Sequence, residues 1–320
     1  MTRTFIGLAL ALAVIAATPA TAQDTKAADV LAKARQALGT EKLDSIKSLA
    51  LQAATQRNVG SVQMASDVEI AVEMPDKFVR TEAGKGMMAI NMTSGFNGDR
   101  PIMPAGTSMG PGGAMMIRIG PGGPIANDGP KPTPEEQEKL NKAAVRAQRA
   151  EISRLMLGWL GTTHPALPAD YTYAGEAESP DGKAHVIDVK DAGGFSARLF
   201  IDQNNYLPLM VTYQGRAPRI VTAGGPGPRT QGQQGHTREL SDEDRKKAEA
   251  GAEKLIEQQA AQAPTVEFTM FFDDWREVDG IRFPHVMRRA TAGEVTEEWA
   301  ISKVKVNQKI DAKKFAVDAR

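Results

Sequence analysis

Four sets of residues in this 320-residue chain have types and spacings suited to chemistry. Gly106-Thr107-Ser108-Met109-Gly110 matches the string G-x-S-x-G, which works by holding a serine on a strained turn between a strand and a helix. Here it lies in a Gly/Pro-rich stretch with neither flank, so Ser108 is not read as a nucleophile. Asp273, Asp274, Glu277 and Asp279 offer hard oxygen ligands of the kind that hold Ca²⁺, without the spacing of an EF-hand. Aspartate favours turns, and solvated turn acids are the plainer reading. The histidines His164, His185, His236 and His285 are scattered and form no H-E-x-x-H pair, so a zinc site would have to be assembled by the fold. His164 and His285 stand beside prolines and read as loop or edge residues. Seven of the 14 methionines fall between Met87 and Met116. Thioethers select Cu(I), but they also make an adaptable apolar surface and fill gaps in cores. Core filling by Met88 and Met92 ranks first, contact with a lipid second and copper third. No catalytic set, cofactor site or metal site has its required context, and the expectation is a protein that is not an enzyme.

The elements that must position these residues are mostly strands. From Thr265 to Ala290 the chain reads as a hairpin, with Val266, Phe268, Met270 and Phe272 on one face and Asp279-Gly280 as the turn. Pro284 has no N–H for a ladder, so the second strand is expected to be an edge or to be bulged there. Glu294 to Val306 adds a third strand. Earlier, Val62, Met64, Val68, Ile70, Val72 and Met74 alternate with polar residues in the longest strand signal of the chain. Met88, Ile90 and Met92 continue this style, as do the runs 185–189, 195–201 and 207–213 and a last short strand near Phe315 and Val317.

Three helices are expected. The first is capped by Thr25 or Asp29 and ends at Gly39. The second starts with Thr133 as N-cap, Pro134 at the first helical position and Glu136 at the third. It runs to about Trp159, with its first half projecting and its second half docked. A charged helix covers about 242–261. Gly/Pro-rich inserts at about 101–134 and 215–238 read as flexible and interrupt a single domain over 23–320.

Arg3, the apolar run Phe5 to Ala17 and Ala20-Thr21-Ala22 form the pattern of a cleaved secretory signal over residues 1–22. The chain has no cysteine, which excludes disulfides, thiol catalysis and Cys-ligated metals. Its 39 basic and 39 acidic residues leave no net charge, and only 5% are aromatic, against the basic footprint and stacking platforms of a nucleic-acid binder. The expected compartment is the periplasm, with peripheral rather than integral membrane contact.

The order of several short motifs carries a family likeness. Pro75-Asp76-Lys77-Phe78, Phe96-Asn97-Gly98-Asp99, Leu199-Phe200-Ile201-Asp202, Leu207-Pro208-Leu209 and Val304-Lys305-Val306-Asn307 follow one another, with Ile310-Asp311 and Phe315 after them. In this order the chain resembles the LolA/LolB-like family of periplasmic lipoprotein-sorting and lipid-carrier proteins, over roughly 27–100, 150–214 and 264–318. The resemblance implies a mainly β (α+β) fold: a curved antiparallel sheet forming a half-open, incomplete β-barrel with helices on its concave side. It implies an acyl chain in that concavity and an arginine at the mouth that ties lid to barrel, for which Arg57 and Arg80 are the candidates. Residues for lipid contact are Val68, Ile70, Val72, Met88, Ile90, Met92, Leu209, Val211, Phe268, Met270 and Phe272. The same alternation suits an ordinary filled core equally well. The partner expected is a lipid or an acylated lipoprotein, or, on the same fold used as a regulatory or scaffolding domain, an envelope protein.

Overall fold

The computed structural model describes residues 20–59, 62–86, 91–103, 107–109, 115–117, 119–120, 123–124, 133–180, 182–216 and 264–317. Period-2 sequences joined by tight turns give antiparallel strands, and the chain uses little else. Helices α1 (Ala20–Leu38) and α2 (Glu41–Asp44) precede β1 (Ser48–Val59), β2 (Val62–Glu73), β3 (Lys77–Gly84), β4 (Asn91–Asn97) and β5 (Arg100–Ile102). Four short strands follow: β6 (Thr107–Met109), β7 (Met115–Ile117), β8 (Ile119–Gly120) and β9 (Gly123–Pro124). Helix α3 (Pro134–Leu160) leads to β10 (Asp170–Ser179), β11 (Gly182–Lys190), β12 (Ser196–Asp202) and β13 (Pro208–Arg216). The meander β14 (Thr265–Val278), β15 (Ile281–Thr291) and β16 (Glu294–Val306) comes last, before a 3-10 turn at Ala312–Phe315.

Twelve of these strands form one antiparallel sheet in the order β10-β11-β12-β13-β14-β15-β16-β1-β2-β3-β4-β5. Because β16 pairs with β1, the last meander lies in the middle of the sheet and joins its two arms. The end strands β10 and β5 are not paired with each other, so the sheet is curved and open. This is the half-open architecture that the family likeness implies. Helices α1 and α3 lie against its concave side, and one apolar core fills the space between.

The β14–β15 hairpin closes on Asp279 and Gly280, both with positive φ (53° and 79°), as a tight turn matching the strand twist demands. Strand β15 is interior rather than an edge. It tolerates Pro284 because the ladder to β16 runs only from Val286 to Thr291, which leaves Pro284 unpaired on that side; the register to β14 runs unbroken past it, with Trp275 opposite, so the strand is not bulged there either. Helix α3 has the full capping box: Thr133 Oγ1 accepts from Glu136 N and Glu136 Oε2 accepts from Thr133 N.

Three expectations about these elements are corrected. Helix α1 begins at Ala20, so Thr25 and Asp29 lie within it and neither caps it. Residues near Phe315 form a 3-10 turn capped by Asp311 instead of a strand, because Phe315 buries on the convex face against Ala71, Val79, Ile102 and Ile310. Leu209 is 37% exposed, although Val211 is buried. The β12–β13 ladder pairs Phe200 with Met210 and Ile201 with Pro208, so Leu209 is a bulged residue turned off the inner face. The insert at 101–134 contains short ladders, β6 with β7 and β8 with β9, separate from the main sheet. The expected helix at 242–261 lies outside the described residues.

Candidate functional site

Helix α3 is the element that decides what the concave face can do. Its first turns are exposed, and its second half is buried through Ile152, Leu155, Met156, Leu157, Trp159 and Leu160. Gly158 lets the helix sit directly on the sheet, since a Cβ there would fall 1.9 Å from Cζ of Phe272. Trp159 packs on Phe283 with ring centroids 5.3 Å apart. Farther up, the helix spans the open side of the sheet. Arg146 forms two hydrogen bonds with Asp191 in the β11–β12 turn (2.8 and 2.9 Å), and Arg149 reaches Gly98 O and Asp99 in the β4–β5 turn (3.2 and 3.0 Å). The helix therefore ties together the two arms that the strands leave apart.

Between these two zones lies a cluster of charges on the inner face. Glu151 of α3 accepts from Arg289 at 2.5 Å and stands 3.9 Å from Arg80. Glu297 accepts from Arg57 at 2.9 Å, with Arg80 at 3.7 Å and Arg289 at 3.9 Å. Glu82 accepts from Arg80 at 2.9 Å and from Ser66 Oγ at 2.8 Å. The guanidinium groups of Arg80 and Arg289 lie over the Trp299 ring at 4.9 and 5.5 Å, and that of Arg154 lies over Tyr213 at 4.0 Å. Burial by itself would raise the Glu151 carboxyl, but Arg289, Arg80 and Arg154 outweigh it and draw the group down to about 2. Glu297 is lowered for the same reason: burial opposes, and Arg289, Arg80 and Arg57 prevail. Burial and the neighbouring Arg289 lower Arg80 against the pull of Glu297.

Arg57 and Arg80, the two arginines the family likeness singled out, both belong to this cluster, and Arg80 faces the helix. Arg289, Glu151, Glu297 and Trp299 were not anticipated. Their signal is a parity one: Arg289 continues the inward run Ile281, Phe283 and Met287, and Glu297 continues Trp299 and Ile301. A charged residue on a buried face needs a partner across it.

Of the residues expected to contact a lipid, Val68, Ile70, Val72, Val211, Met270 and Phe272 are all buried in one core beneath α1 and α3. Phe268 stacks on Tyr213 (centroids 5.2 Å) at the partly covered margin, and Met92 is half-buried opposite Glu82. Leu209 points away, as above, while Met88 and Ile90 lie outside the described residues. The concave face is filled by the chain's own side chains. A hollow of about 250 Å³ lies on the convex face, over the Ala50/Ala71 pair and beneath Ile310, and one of about 200 Å³ lies beside α3 between Asp99, Val145, Arg149 and Leu167.

The other sequence candidates are dispersed. Ser108 is in β6 opposite Met116, without the strand-to-helix turn of an elbow. Asp273 pairs with Arg288 (2.8 Å) and Asp274 with Arg276 (2.5 Å). Among the described residues no three Asp, Glu or His side chains converge on a cation position. His164, expected at a loop or edge, follows α3 but is completely buried. Its ring is edge-on to Phe96, and its Nδ1 accepts from Ala166 N at 3.1 Å. Burial and then Arg149 hold it neutral, with a pKa of about 4. His285 is half-buried in β15, and His236 lies outside the described residues. Among the described residues no helix is long and apolar enough to cross a membrane.

No protein-family model matches the sequence, and no curated protein matches it. Solved structures do align with it over 91% of its length. They include a LolA superfamily protein from Nitrosomonas europaea (11% identity, 97% of that chain, TM-score 0.45). A putative outer membrane lipoprotein-sorting protein domain from Vibrio parahaemolyticus gives 8%, 97% and 0.41. A DUF1329 family protein from Desulfovibrio piger gives 10%, 97% and 0.39.

Proposed function

We propose that this protein is a non-catalytic periplasmic carrier of a lipid or lipoprotein acyl group, seen with its cover closed. The observation that carries this reading is the double attachment of α3. An apolar stripe occupies the concave face, and an ion cluster closes one end of it. Burying the six apolar residues from Ile152 to Leu160 contributes on the order of 10 kcal/mol, at about 1.5–3 kcal/mol each. An acyl chain of about 14 carbons gains a similar amount at about 0.8 kcal/mol per CH₂. Exchange of helix for acyl chain is thus near balance, the condition for a carrier that must load and unload.

The filled concavity also favours a second reading, an envelope regulatory or scaffolding domain that binds a protein partner and leaves the helix in place. Native mass spectrometry of protein purified gently from the envelope fraction, with solvent extraction of bound molecules, separates the two. A stoichiometric lipid or acylated peptide supports the carrier. A clean apo mass that persists after incubation with lipids sinks the carrier and leaves the partner-binding domain.

A further inference from the structure

The inner-face cluster has more donors and more positive charge than its own acceptors use. Among the described residues the sheet contributes Arg57, Arg80 and Arg289 against Glu82 and Glu297, an excess of one positive charge (three minus two). The helix contributes Arg154 and Glu151, which cancel. Two buried N–H groups on the sheet side of the cluster have no hydrogen-bond acceptor among the described residues, Nε of Arg289 and Nε1 of Trp299, while a third, Nε of Arg154, belongs to α3 and moves with it. Trp299 is 1% exposed, with the Arg80 and Arg289 guanidinium groups over its ring. Buried donors without acceptors are rare in native proteins and costly to keep. Unused donors beside an excess of positive charge on the sheet suit an anionic partner.

We infer that the Arg80–Trp299–Arg289 cluster is an oxyanion site, which Glu151 occupies in the closed state and which receives the anionic head of an acyl ligand when α3 lifts. The inference rests on the carrier reading and specifies its ligand: an amphiphile with one acyl chain and a carboxylate or phosphate head. A fatty carboxylate in place of the Glu151 carboxylate sets one negative charge beside Arg289 for another, so the sheet arginines keep an anionic partner when the helix leaves. The placement also fits the chain's course, since the apolar zone from Ile152 to Leu160 begins at the residue after Glu151.

The test compares three probes of equal chain length, tetradecanoate, tetradecyl phosphate and the uncharged 1-monotetradecanoylglycerol, by titration against the full chain. At least one anionic probe is expected to bind about tenfold or more tightly than the neutral one, the scale of a single charge-assisted contact. A preference for the phosphate identifies a phosphate-headed lipid, a preference for the carboxylate a free fatty acid, and both support the site. Arg289→Gln should bring the ratio of anionic to neutral affinity close to one. Trp299→Phe, which removes the N–H together with the five-membered ring but keeps an aromatic face beneath the two guanidinium groups, should lower it a few-fold in a chain whose circular dichroism is unchanged. Glu151→Gln should raise anionic affinity more than neutral affinity. Equal binding of all three probes, or a ratio that neither Arg289→Gln nor Trp299→Phe alters, overturns the oxyanion site while the carrier stands. Failure of all three probes to bind overturns both.

Discussion

Replacing Gly158 by alanine asks whether α3 is seated on the sheet. The new methyl would lie 1.9, 2.2 and 2.4 Å from three atoms of the Phe272 ring, which is itself 2% exposed and has nowhere to turn. Overpacking of this kind costs about 1–3 kcal/mol. Against it stands helix propensity, which favours alanine over glycine by about 1 kcal/mol. A methyl this close to a buried ring falls in the upper part of that range, about 2–3 kcal/mol, so the seated helix predicts a net loss of about 1–2 kcal/mol, read as a lower urea midpoint at unchanged slope. An unseated helix predicts the opposite sign, a gain of about 1 kcal/mol. The double variant with Phe272→Leu should recover part of the loss, because the smaller side chain vacates the space the methyl needs. A Gly158→Ala chain more stable than its parent, or a loss that Phe272→Leu leaves unchanged, would refute the packing on which the cover rests.

Two further predictions concern pH and one concerns the start of the helix. Glu151 falls from 4.5 to about 2 on folding, so its contribution is complete above 4.5 and is lost as pH drops toward 2. That contribution is about 3 kcal/mol, and Glu151→Gln should flatten this part of a stability–pH curve measured by chemical denaturation. His164 falls from 6.5 to about 4, so its neutral burial begins to cost stability below pH 6.5, and the full cost of about 3 kcal/mol is reached near pH 4. His164→Gln should remove the slope in that window; a slope that persists would place its origin elsewhere. Thr133→Ala removes the N-cap oxygen and should cost about 1 kcal/mol if the exposed first turns of α3 unfold with the rest. No change in the melting curve would mean that those turns fray independently.

The sheet was legible because its signals are local. Val68, Ile70 and Val72 alternate over a long stretch, Asp279-Gly280 allows one kind of turn, and Thr133, Pro134 and Glu136 announce a helix start without reference to the rest of the chain. The errors arose where a residue's environment is set from a distance. Leu209 follows the same alternation as Val211, yet a register shift against β12 turns it outward. Phe315 reads as part of a strand because nothing nearby in sequence shows that it caps a small convex-face core. His164 is the loop residue that its neighbouring proline suggests, but its complete burial, against Phe96 and beside Ser153, has no local signal. The candidate site was half legible. Arg57 and Arg80 came through family likeness, whereas Glu151, Arg289 and Glu297 meet only because α3 crosses strands far from it in sequence. Whether an alternating apolar face lines a cavity or a filled core is likewise decided by what lies over it, which no strand pattern records.

The central claim is that α3 is a cover that an acyl chain displaces. Hydrogen exchange of the α3 amides from Ile152 to Leu160, followed with and without saturating tetradecyl phosphate or 1-monotetradecanoylglycerol, tests it most directly. The account predicts a one-to-one complex in which these amides lose protection while those of β16 around Trp299 keep theirs. A bound ligand with α3 protection unchanged, or no complex with either amphiphile, would contradict it.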